Sequence, residues 1–349
     1  MRPFEYRKVA STAGAIALAA ERRDALYLAG GTEVVNWLKD GIVAPTLLID
    51  LTACEFDRVA LDGDTLSIGG LARMATVAAD PAVRQTTPAV AQAIEAAASP
   101  AIRAMATIAG NLLQRTRCPY FLGARHPALG NRHPDLRMPS AEPQVPHSEP
   151  CNRREAGSGC AVLTGDQEAA AILGASPGCV ATHPSDLAVV LVALEAELVV
   201  QGEAGRRIMP AEALWPAIAD PAVENTLLRG ELITAVRVPI GRAAGRTRYL
   251  KIRRRASFEF ASVAAAGYCL VEDGVVADAR LGFGGVAARP WRARTAEAHL
   301  IGRPPTAESV ARAVAAELAN AAFLPGNRSK ADQLVAAATR VLIDPLELR

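Results

Sequence analysis

The sequence predicts an α+β protein that divides into two or three domains. In the first third, short apolar runs alternate with segments whose apolar residues recur at helical spacing. From about Leu232 the pattern changes to longer strand-like runs, and helical segments close the chain. A chain of 349 residues, of which 50% are hydrophobic, can bury a substantial core and is longer than a typical single domain.

The first third predicts helices and strands in close succession. Two glycines end the first short strand, and a brief helix precedes the second strand. Thr32 is expected to cap that brief helix, and Gly41 is expected to follow its last turn. The other predicted elements are a helix over 11–23, strands over 25–31, 46–50 and 65–70, and a helix over 88–98 that ends before Pro100.

Between Pro119 and Pro150 the sequence predicts an irregular insertion rather than packed structure. This segment has seven prolines, three histidines and no apolar periodicity. Histidines in an irregular loop are more often solvated than metal-bound, so we assign no role to His126, His133 and His147.

The remaining chain predicts a buried strand and helix over 179–200, followed by a C-terminal α+β domain of about a hundred residues. Two long strands flank a turn predicted at Glu272–Gly274. Residues 306–319 and 330–343 have apolar residues at helical spacing, so two helices are expected to complete this domain.

Charge and composition exclude several classes of protein. The chain has 38 Lys+Arg against 36 Asp+Glu, a net charge of +2, and no long run of one sign, so we expect no nucleic-acid partner. No uncharged stretch is long enough to span a membrane, so no membrane insertion is expected. The start "MRPFEYRKVASTAG" has charges where a signal peptide needs an apolar core, which favours the cytoplasm. Six cysteines are too few for a disulfide scaffold, so clustered ones indicate metal or redox chemistry.

Two glycine loops predict a ligand site. The stretch "YLAGGTE" (27–33) places bare backbone N–H groups between a strand and a helix start, where a phosphate can bind. The stretch "TIAGN" (107–111) repeats this arrangement, and the pair could cradle a long cofactor with a central pyrophosphate. One alternative to such a cradle is that the two stretches are unrelated turns. A nicotinamide βαβ unit with Asp50 as ribose-binding acid is another, although the G-x-G-x-x-G spacing is absent. In "HPSD" (183–186), Ser185 is expected first as a helix N-cap.

Four cysteines lie between the second glycine loop and the "HPSD" stretch. Four thiols match the ligand count of an iron–sulfur cluster or a structural zinc site, and spacing alone does not choose between them. Disulfides and inert buried thiols are further alternatives. The glycines of "REAGSGC" (154–160) favour a tight loop with N–H groups turned toward sulfur, whereas Cys54 and Cys269 are expected in the core. The four cysteines are Cys118, Cys151, Cys160 and Cys179.

Five motifs occur in one order along the chain: "LAGGTE", "TIAGNLLQRTRCPYF", "CNRREAGSGC", "CVATHPSD" and "YLKIRRRASFEFASVAAA". Together they resemble the FAD-binding subunits of the molybdenum hydroxylases, the xanthine dehydrogenase and carbon monoxide dehydrogenase medium-subunit family. The resemblance runs from Phe4 to Ile343 and is greatest to the FAD subunits of bacterial periplasmic aldehyde oxidoreductases.

This resemblance implies a p-cresol methylhydroxylase-type FAD-binding domain, made of two α/β subdomains, followed by a smaller α+β C-terminal domain. The implied boundaries are 1–56 for the first subdomain, 57–230 for the second, with a cysteine-containing insertion at about 115–180, and 231–349 for the C-terminal domain.

The resemblance also implies the site residues. The first glycine loop would bind the FAD pyrophosphate, the second would contact the cofactor, the acid of the "HPSD" stretch would accept hydrogen bonds from FAD hydroxyls, and Lys251 would lie near the flavin. The implied FAD-binding residues are Leu28, Ala29, Gly30, Gly31, Thr32, Glu33, Val34, Val35, Asn36, Thr107, Gly110, Asn111, Ser185, Asp186 and Lys251. Relatives with an additional [4Fe–4S] cluster imply that Cys118, Cys151, Cys160 and Cys179 are its ligands.

The function implied is that of an electron-transfer subunit. A large molybdopterin subunit would oxidise an aldehyde to a carboxylic acid, and a small [2Fe–2S] subunit would pass electrons to FAD here and on to an external acceptor, in a heterotrimer or higher assembly. Export with a signal-bearing partner would place the chain in the periplasm. The competing interpretations are a self-contained flavoprotein oxidase of the same fold, a nicotinamide-binding protein with structural zinc, and a non-enzymatic zinc scaffold.

Overall fold

The computed structural model of the protein describes residues 2–122, 149–175, 178–217 and 220–343. Their strands form three separate sheets with helices packed against them, which confirms the predicted α+β class. His126, His133 and His147 lie outside the described residues, as does most of the insertion predicted between Pro119 and Pro150. No helix in the described ranges combines the length and the apolar character needed to cross a membrane.

The N-terminal unit is a three-stranded parallel sheet with strand order β1-β3-β2. The central strand is buried at all its residues, which explains its apolar sequence. The Ser11 hydroxyl caps the first helix by accepting the N–H of Gly14 at 3.1 Å. The elements are β1 (Glu5–Lys8), α1 (Thr12–Glu21), β2 (Ala25–Leu28), α2 (Val34–Lys39) and β3 (Leu47–Asp50).

The start of α2 differs from the prediction that Thr32 caps it. Glu33 holds the N-cap position, and no side chain makes a capping hydrogen bond there. The Glu33 carboxylate instead forms an ion pair with Arg117, a contact that the local sequence does not reveal. The helix ends as predicted, because Asp40 is the C-cap and Gly41 follows in the left-handed region at φ +65°.

The second unit is a five-stranded antiparallel sheet covered on one side by short helices. Its strand order is β4-β5-β8-β6-β7, and its strands are β4 (Val59–Asp62), β5 (Thr65–Gly69), β6 (Glu197–Gly202), β7 (Gly205–Pro210) and β8 (Leu232–Pro239). The helices are α3 (Met74–Ala79), α4 (Pro81–Thr86), α5 (Pro88–Ala96), α6 (Pro100–Met105), α7 (Ile108–Leu112), α8 (Pro119–Leu122) and α9 (Asp186–Ala193).

Helix α9 is buried at all its residues because it packs between α5 and two strands of the C-terminal sheet, Val263–Glu272 and Val275–Gly284. Strand β8 follows the boundary predicted at residue 231, yet it pairs with β5 and β6 of the second unit. The strand pairing therefore groups β8 with the second unit. The domain boundaries themselves stay predictions.

The C-terminal unit is a four-stranded antiparallel sheet of order β12-β11-β10-β9 with three helices on one face. The turn predicted at Glu272–Gly274 is confirmed: Asp273 and Gly274 both have positive φ, as a tight hairpin requires. The strands are β9 (Arg248–Ile252), β10 (Val263–Glu272), β11 (Val275–Gly284) and β12 (Trp291–Arg292), and the helices are α10 (Arg294–Leu300), α11 (Ala307–Glu317) and α12 (Lys330–Leu342).

Candidate functional site

A cleft with two chambers lies where the N-terminal unit meets the second unit. The first chamber, of about 380 Å³, lies between β2, α2 and the chain around β8. The second chamber, of about 370 Å³, lies between α5 to α7, β9 and the loop after it. Thr32, Glu33 and Gly110 belong to the walls of both chambers. The two glycine loops therefore form a waist between the chambers.

Most of the predicted FAD-binding residues line this cleft. Leu28, Val35 and Ser185 line neither chamber, although Ser185 contacts a residue that does. The residues that line one or both chambers are Ala29, Gly30, Gly31, Thr32, Glu33, Val34, Asn36, Thr107, Gly110, Asn111, Asp186 and Lys251.

Gly30 allows the two glycine loops to approach each other. A Cβ atom at this position would overlap the backbone carbonyl of Met105 and lie 2.7 Å from its carbon. The same carbonyl accepts a hydrogen bond from the Arg73 guanidinium, so it cannot easily move away. Since only glycine fits, the waist presents bare backbone, which is the surface that a pyrophosphate group needs.

The second glycine loop is joined to the "HPSD" segment by side-chain hydrogen bonds. Thr107 caps α7 by accepting the N–H of Gly110 at 3.2 Å. The Ser185 hydroxyl donates to Asn111 Oδ1 at 2.7 Å and accepts the N–H of Ala188 at 3.0 Å. Ser185 is thus the helix N-cap that its sequence position predicts, and it also positions Asn111 in the wall of the second chamber.

A buried ion pair occupies the wall of the second chamber. Lys251 Nζ donates to Asp186 Oδ2 at 2.8 Å, and the two side chains are 3% and 5% exposed. The Tyr249 hydroxyl donates to Asp186 Oδ1 at 2.5 Å, and burial, together with the charge of Asp186, raises the pKa of this phenol well above its ordinary value. Each carboxylate oxygen can accept a second hydrogen bond, so Asp186 keeps acceptor capacity. Sequence reasoning missed Tyr249, although its position two residues before Lys251 in a strand predicts a shared face.

Three buried polar atoms in the cleft walls have no hydrogen-bond partner within the described residues: Glu33 Oε2, Trp37 Nε1 and Arg117 Nε. Glu33 and Arg117 pair through their other atoms, and the Arg117 guanidinium lies 5.0 Å from the centre of the Phe260 ring. Buried polar groups in folded proteins almost always have partners, so these atoms indicate a polar ligand in the cleft. Together with the waist and the two chambers, they fit a long dinucleotide such as FAD.

The position of Asp50 argues against a nicotinamide site. Its carboxylate accepts the backbone N–H of Thr52 at 2.8 Å and a hydrogen bond from the Tyr6 hydroxyl. Asp50 belongs to the wall of neither chamber. It acts as the turn residue at the end of β3 rather than as an acid that binds ribose.

The cysteine region comprises residues 115–122, 149–175 and 178–182. Burial raises the pKa of the Cys118 thiol to about 11. Cys118 and Cys160 pack against the same small apolar cluster, which includes Val162 and Val180. Cys151 and Cys160 face each other across an antiparallel backbone bridge. The structure therefore brings the four predicted ligands into one region, and none of them takes part in a disulfide bond.

These thiols do not form a site for a single metal ion. Among the residues that the structure describes, no group of three or more His, Cys, Asp or Glu side chains converges on one point. A zinc site requires about four ligands at roughly 2.3 Å from one ion, so the zinc interpretation does not fit this geometry. A [4Fe–4S] cluster likewise requires four thiolates around one centre, each bound to its own iron atom. The region supplies four cysteines, but the described structure does not gather their side chains into such a set.

A network of charged side chains, which sequence reasoning missed, connects the first chamber to the cysteine region. The Glu224 carboxylate accepts hydrogen bonds from Arg115 Nε at 2.6 Å and from an Nη atom of Arg153 at 2.9 Å. Arg153 Nε in turn donates to Cys179 Sγ at 3.3 Å. Arg115 and Glu224 belong to the wall of the first chamber. Glu224, in the wall of the first chamber, therefore holds the positive charge of Arg153 beside the Cys179 thiol.

Residues 2–241 match the family described as the FAD binding domain in molybdopterin dehydrogenase, and residues 248–339 match the CO dehydrogenase flavoprotein C-terminal domain. The chain belongs to the FAD-binding subunits of the molybdenum hydroxylase family. The predicted family, and the predicted FAD-binding domain followed by a C-terminal domain, are thereby confirmed. As a member of this family, the chain is an oxidoreductase subunit.

Known proteins resemble most or nearly all of the chain. The FAD-binding subunit of an aldehyde oxidoreductase from Escherichia coli (strain K12) is 39% identical over 304 residues, which are 86% of each chain. The carbon monoxide dehydrogenase medium chain of Hydrogenophaga pseudoflava is 23% identical over 97% of this chain and 94% of its own. The crystal structure of quinoline 2-oxidoreductase from Pseudomonas putida 86 has the same fold, with a TM-score of 0.71, 20% identity, and coverage of 99% and 98% of the two chains.

Proposed function

We propose that this chain is the electron-transfer FAD subunit of a molybdenum-containing aldehyde oxidoreductase, an enzyme that converts aldehydes to carboxylic acids. The observation that carries the proposal is the two-chambered cleft, whose waist is made of the two glycine loops. The aldehyde as substrate class rests on the 39% identical relative. No substrate is oxidised on this chain itself.

In the proposed complex, the backbone of Gly30, Gly31 and Gly110 would hold the pyrophosphate of FAD. The unpaired atoms of Glu33, Trp37 and Arg117 would then find hydrogen-bond partners. FAD supplies the chemistry that joins one-electron donors to two-electron acceptors. The protein contributes orientation: its own ion pair neutralises the charge of Asp186, so this carboxylate can accept ligand hydrogen bonds without adding net charge to the cleft.

The partners in the proposal are a large molybdopterin subunit, which oxidises the aldehyde, and a small [2Fe–2S] subunit, which delivers electrons to FAD. An external acceptor removes the electrons. The assembly is a heterotrimer or larger, in the periplasm when a partner carries the export signal and otherwise in the cytoplasm.

The proposal includes a [4Fe–4S] cluster on Cys118, Cys151, Cys160 and Cys179. Support comes from the presence of four cysteines in one region and from the Arg153 guanidinium beside Cys179. A cluster with four thiolates carries net negative charge, which a nearby guanidinium stabilises. No electron-transfer step is assigned to this cluster.

The first test is a visible absorption spectrum of the anaerobically purified chain, before and after dithionite, with FAD, iron and zinc quantified. We expect flavin bands and about four irons per chain. Serine substitution of Cys118, Cys151, Cys160 or Cys179 should lower the iron content and leave FAD, whereas Cys54→Ala and Cys269→Ala should retain both. Zinc in place of iron would remove the cluster from the proposal, and failure to bind FAD after reconstitution would overturn it.

A second test addresses the partners and the substrate. Co-expression with the molybdopterin and [2Fe–2S] subunits should yield a complex whose flavin band bleaches when an aldehyde is added without an acceptor. A complex that assembles and carries molybdenum, but whose flavin is reduced by purines or carbon monoxide and not by aldehydes, would replace the aldehyde by another substrate class.

A further inference from the structure

Cys151 and Cys160 occupy a backbone geometry that suits a disulfide bond. They are opposite residues in an antiparallel bridge. The flanking hydrogen bonds run from Asn152 N to Gly159 O at 2.9 Å and from Ala161 N to Pro150 O at 3.0 Å, so the cysteines form a non-hydrogen-bonded pair. Opposite residues at such a position have Cα atoms about 4.5 Å apart, within the range of about 4.4 to 6.8 Å that disulfides require.

The hairpin that carries the two cysteines is held in this arrangement by its own side chains. Asn152 Oδ1 accepts the N–H of Gly159 at 2.9 Å, and its Nδ2 donates to Gly178 O at 2.7 Å. The Ser158 hydroxyl accepts the N–H of Cys151 at 3.0 Å. Gly159 has φ +105°, a conformation that glycine adopts without strain. The cysteines thus need little backbone movement to react with each other.

The other thiols are less suited to this reaction. Cys179 is buried, and the Arg153 guanidinium donates to its sulfur. Cys118 lies on a separate segment before α8, with no backbone pairing to either strand of the hairpin among the described residues. Cys151 and Cys160 are both half-buried, so a small oxidant can reach them.

We propose that Cys151 and Cys160 form a reversible disulfide in the iron-free chain, and that this bond is a redox lock on cluster assembly. The oxidant is a small disulfide such as glutathione disulfide. The Cys151–Cys160 sulfur bond forms, the glutathione disulfide bond breaks, and two electrons and two protons pass to the glutathione sulfurs to give two thiols. The locking role rests on the proposed cluster, because the bond removes two of its four ligands.

The bond is tested on the full chain purified without iron and treated with glutathione disulfide. Peptide mapping without reduction should show a Cys151–Cys160 cross-link and the loss of two of the six free thiols. Cys179→Ser should retain this cross-link, and Cys160→Ser should abolish it. Asn152→Ala, which keeps every thiol, should slow its formation. A predominant cross-link between any other pair would overturn the inference, as would full alkylation of both cysteines after the treatment.

The locking role is tested by reconstitution with ferrous iron and sulfide. The oxidised chain should gain almost no iron, and treatment with dithiothreitol should restore uptake to the level of a never-oxidised sample. Equal uptake by oxidised and reduced chains would overturn the lock. If the cross-link forms but neither sample takes up iron, the cluster proposal and the lock fail and the disulfide stands. If iron is taken up but no cross-link forms, the cluster stands and this inference fails.

Discussion

In the cofactor cleft, charged side chains are buried and paired by regular elements from distant parts of the chain, whereas in the cysteine region the thiols lie on irregular segments and form no disulfide bond. Asp186 on α9 meets Lys251 on β9 across 65 residues. Cys151 and Cys160, by contrast, meet within one short hairpin. The cleft walls are thus fixed by contacts within the chain, which lowers the entropic cost of binding a ligand. In the cysteine region, local hydrogen bonds hold the hairpin, and Cys118 and Cys179 lie on separate segments.

The largest expected effect comes from removing one partner of the buried ion pair in the cleft. Lys251→Met would leave the Asp186 carboxylate buried without a counter-charge. We expect the free energy of unfolding to fall by about 3 to 5 kcal/mol. Urea unfolding of the FAD-free chain measures this change and tests whether the cleft is stable without its ligand.

The matched control is the double variant Asp186→Asn with Lys251→Met, which removes both charges. It should regain a large part of the lost stability, because no unpaired charge stays buried. If the double variant is less stable than Lys251→Met alone, the pair is not coupled, and the contrast with the cysteine region loses its basis.

The second largest effect is expected at the waist of the cleft. In Gly30→Ala, the new methyl group overlaps the backbone carbonyl of Met105, so the two glycine loops must separate. We expect a loss of about 3 kcal/mol in the free energy of unfolding, near the upper end for overpacked sites, together with loss of bound FAD. Thermal unfolding and flavin absorbance per chain measure both changes.

Gly63→Ala provides the control for Gly30→Ala. Gly63 also lies in a loop, and a Cβ atom there would have no neighbour within 4 Å. Its φ of +55° makes alanine unfavourable by only about 1 kcal/mol, and FAD should stay bound. Normal FAD content in Gly30→Ala would show that the waist does not hold the cofactor.

The local features of the cleft could be predicted from the sequence, because each is set by neighbouring residues. The glycine loops, the N-cap at Ser185 and the turn at Glu272–Gly274 all follow from short-range backbone preferences. The prediction that Thr32 caps α2 is wrong. The next residue, Glu33, holds the N-cap position, and its carboxylate pairs with Arg117, which lies 84 residues away in the sequence. Tertiary contacts of this kind override local preferences.

The arrangement of the cysteine region also depends on tertiary contacts that the local sequence does not predict. Sequence reasoning grouped its four cysteines, and the structure places them in one region, but their spacing does not encode their arrangement. Glu224, which positions Arg153 beside Cys179, lies 71 residues away from that arginine. Nothing in the sequence around either residue indicates the contact, since it arises only when separate elements pack together.

The smallest of the three effects concerns Lys330, which anchors the cysteine region to the C-terminal helix. Its Nζ donates to Ala170 O and Gly285 O, both at 2.7 Å, and the residue is 1% exposed. Burial lowers the pKa of this amine from 10.5 to about 8. Between these values the unfolded chain binds more protons than the folded chain, so raising the pH stabilises the fold.

From about pH 8 to about pH 10, this titration should add about 2 kcal/mol to the free energy of unfolding of the wild type relative to Lys330→Met. Urea unfolding at a series of pH values measures the difference, and Lys39→Met, at an exposed lysine, should follow the wild type. Parallel pH curves for the wild type and Lys330→Met would show that Lys330 stays charged and well solvated. In that case Lys330 would not anchor the cysteine region to the C-terminal helix as a buried group. The hairpin and the proposed ligand would then be the main contacts that hold the cysteine region, and its contrast with the cleft would be larger.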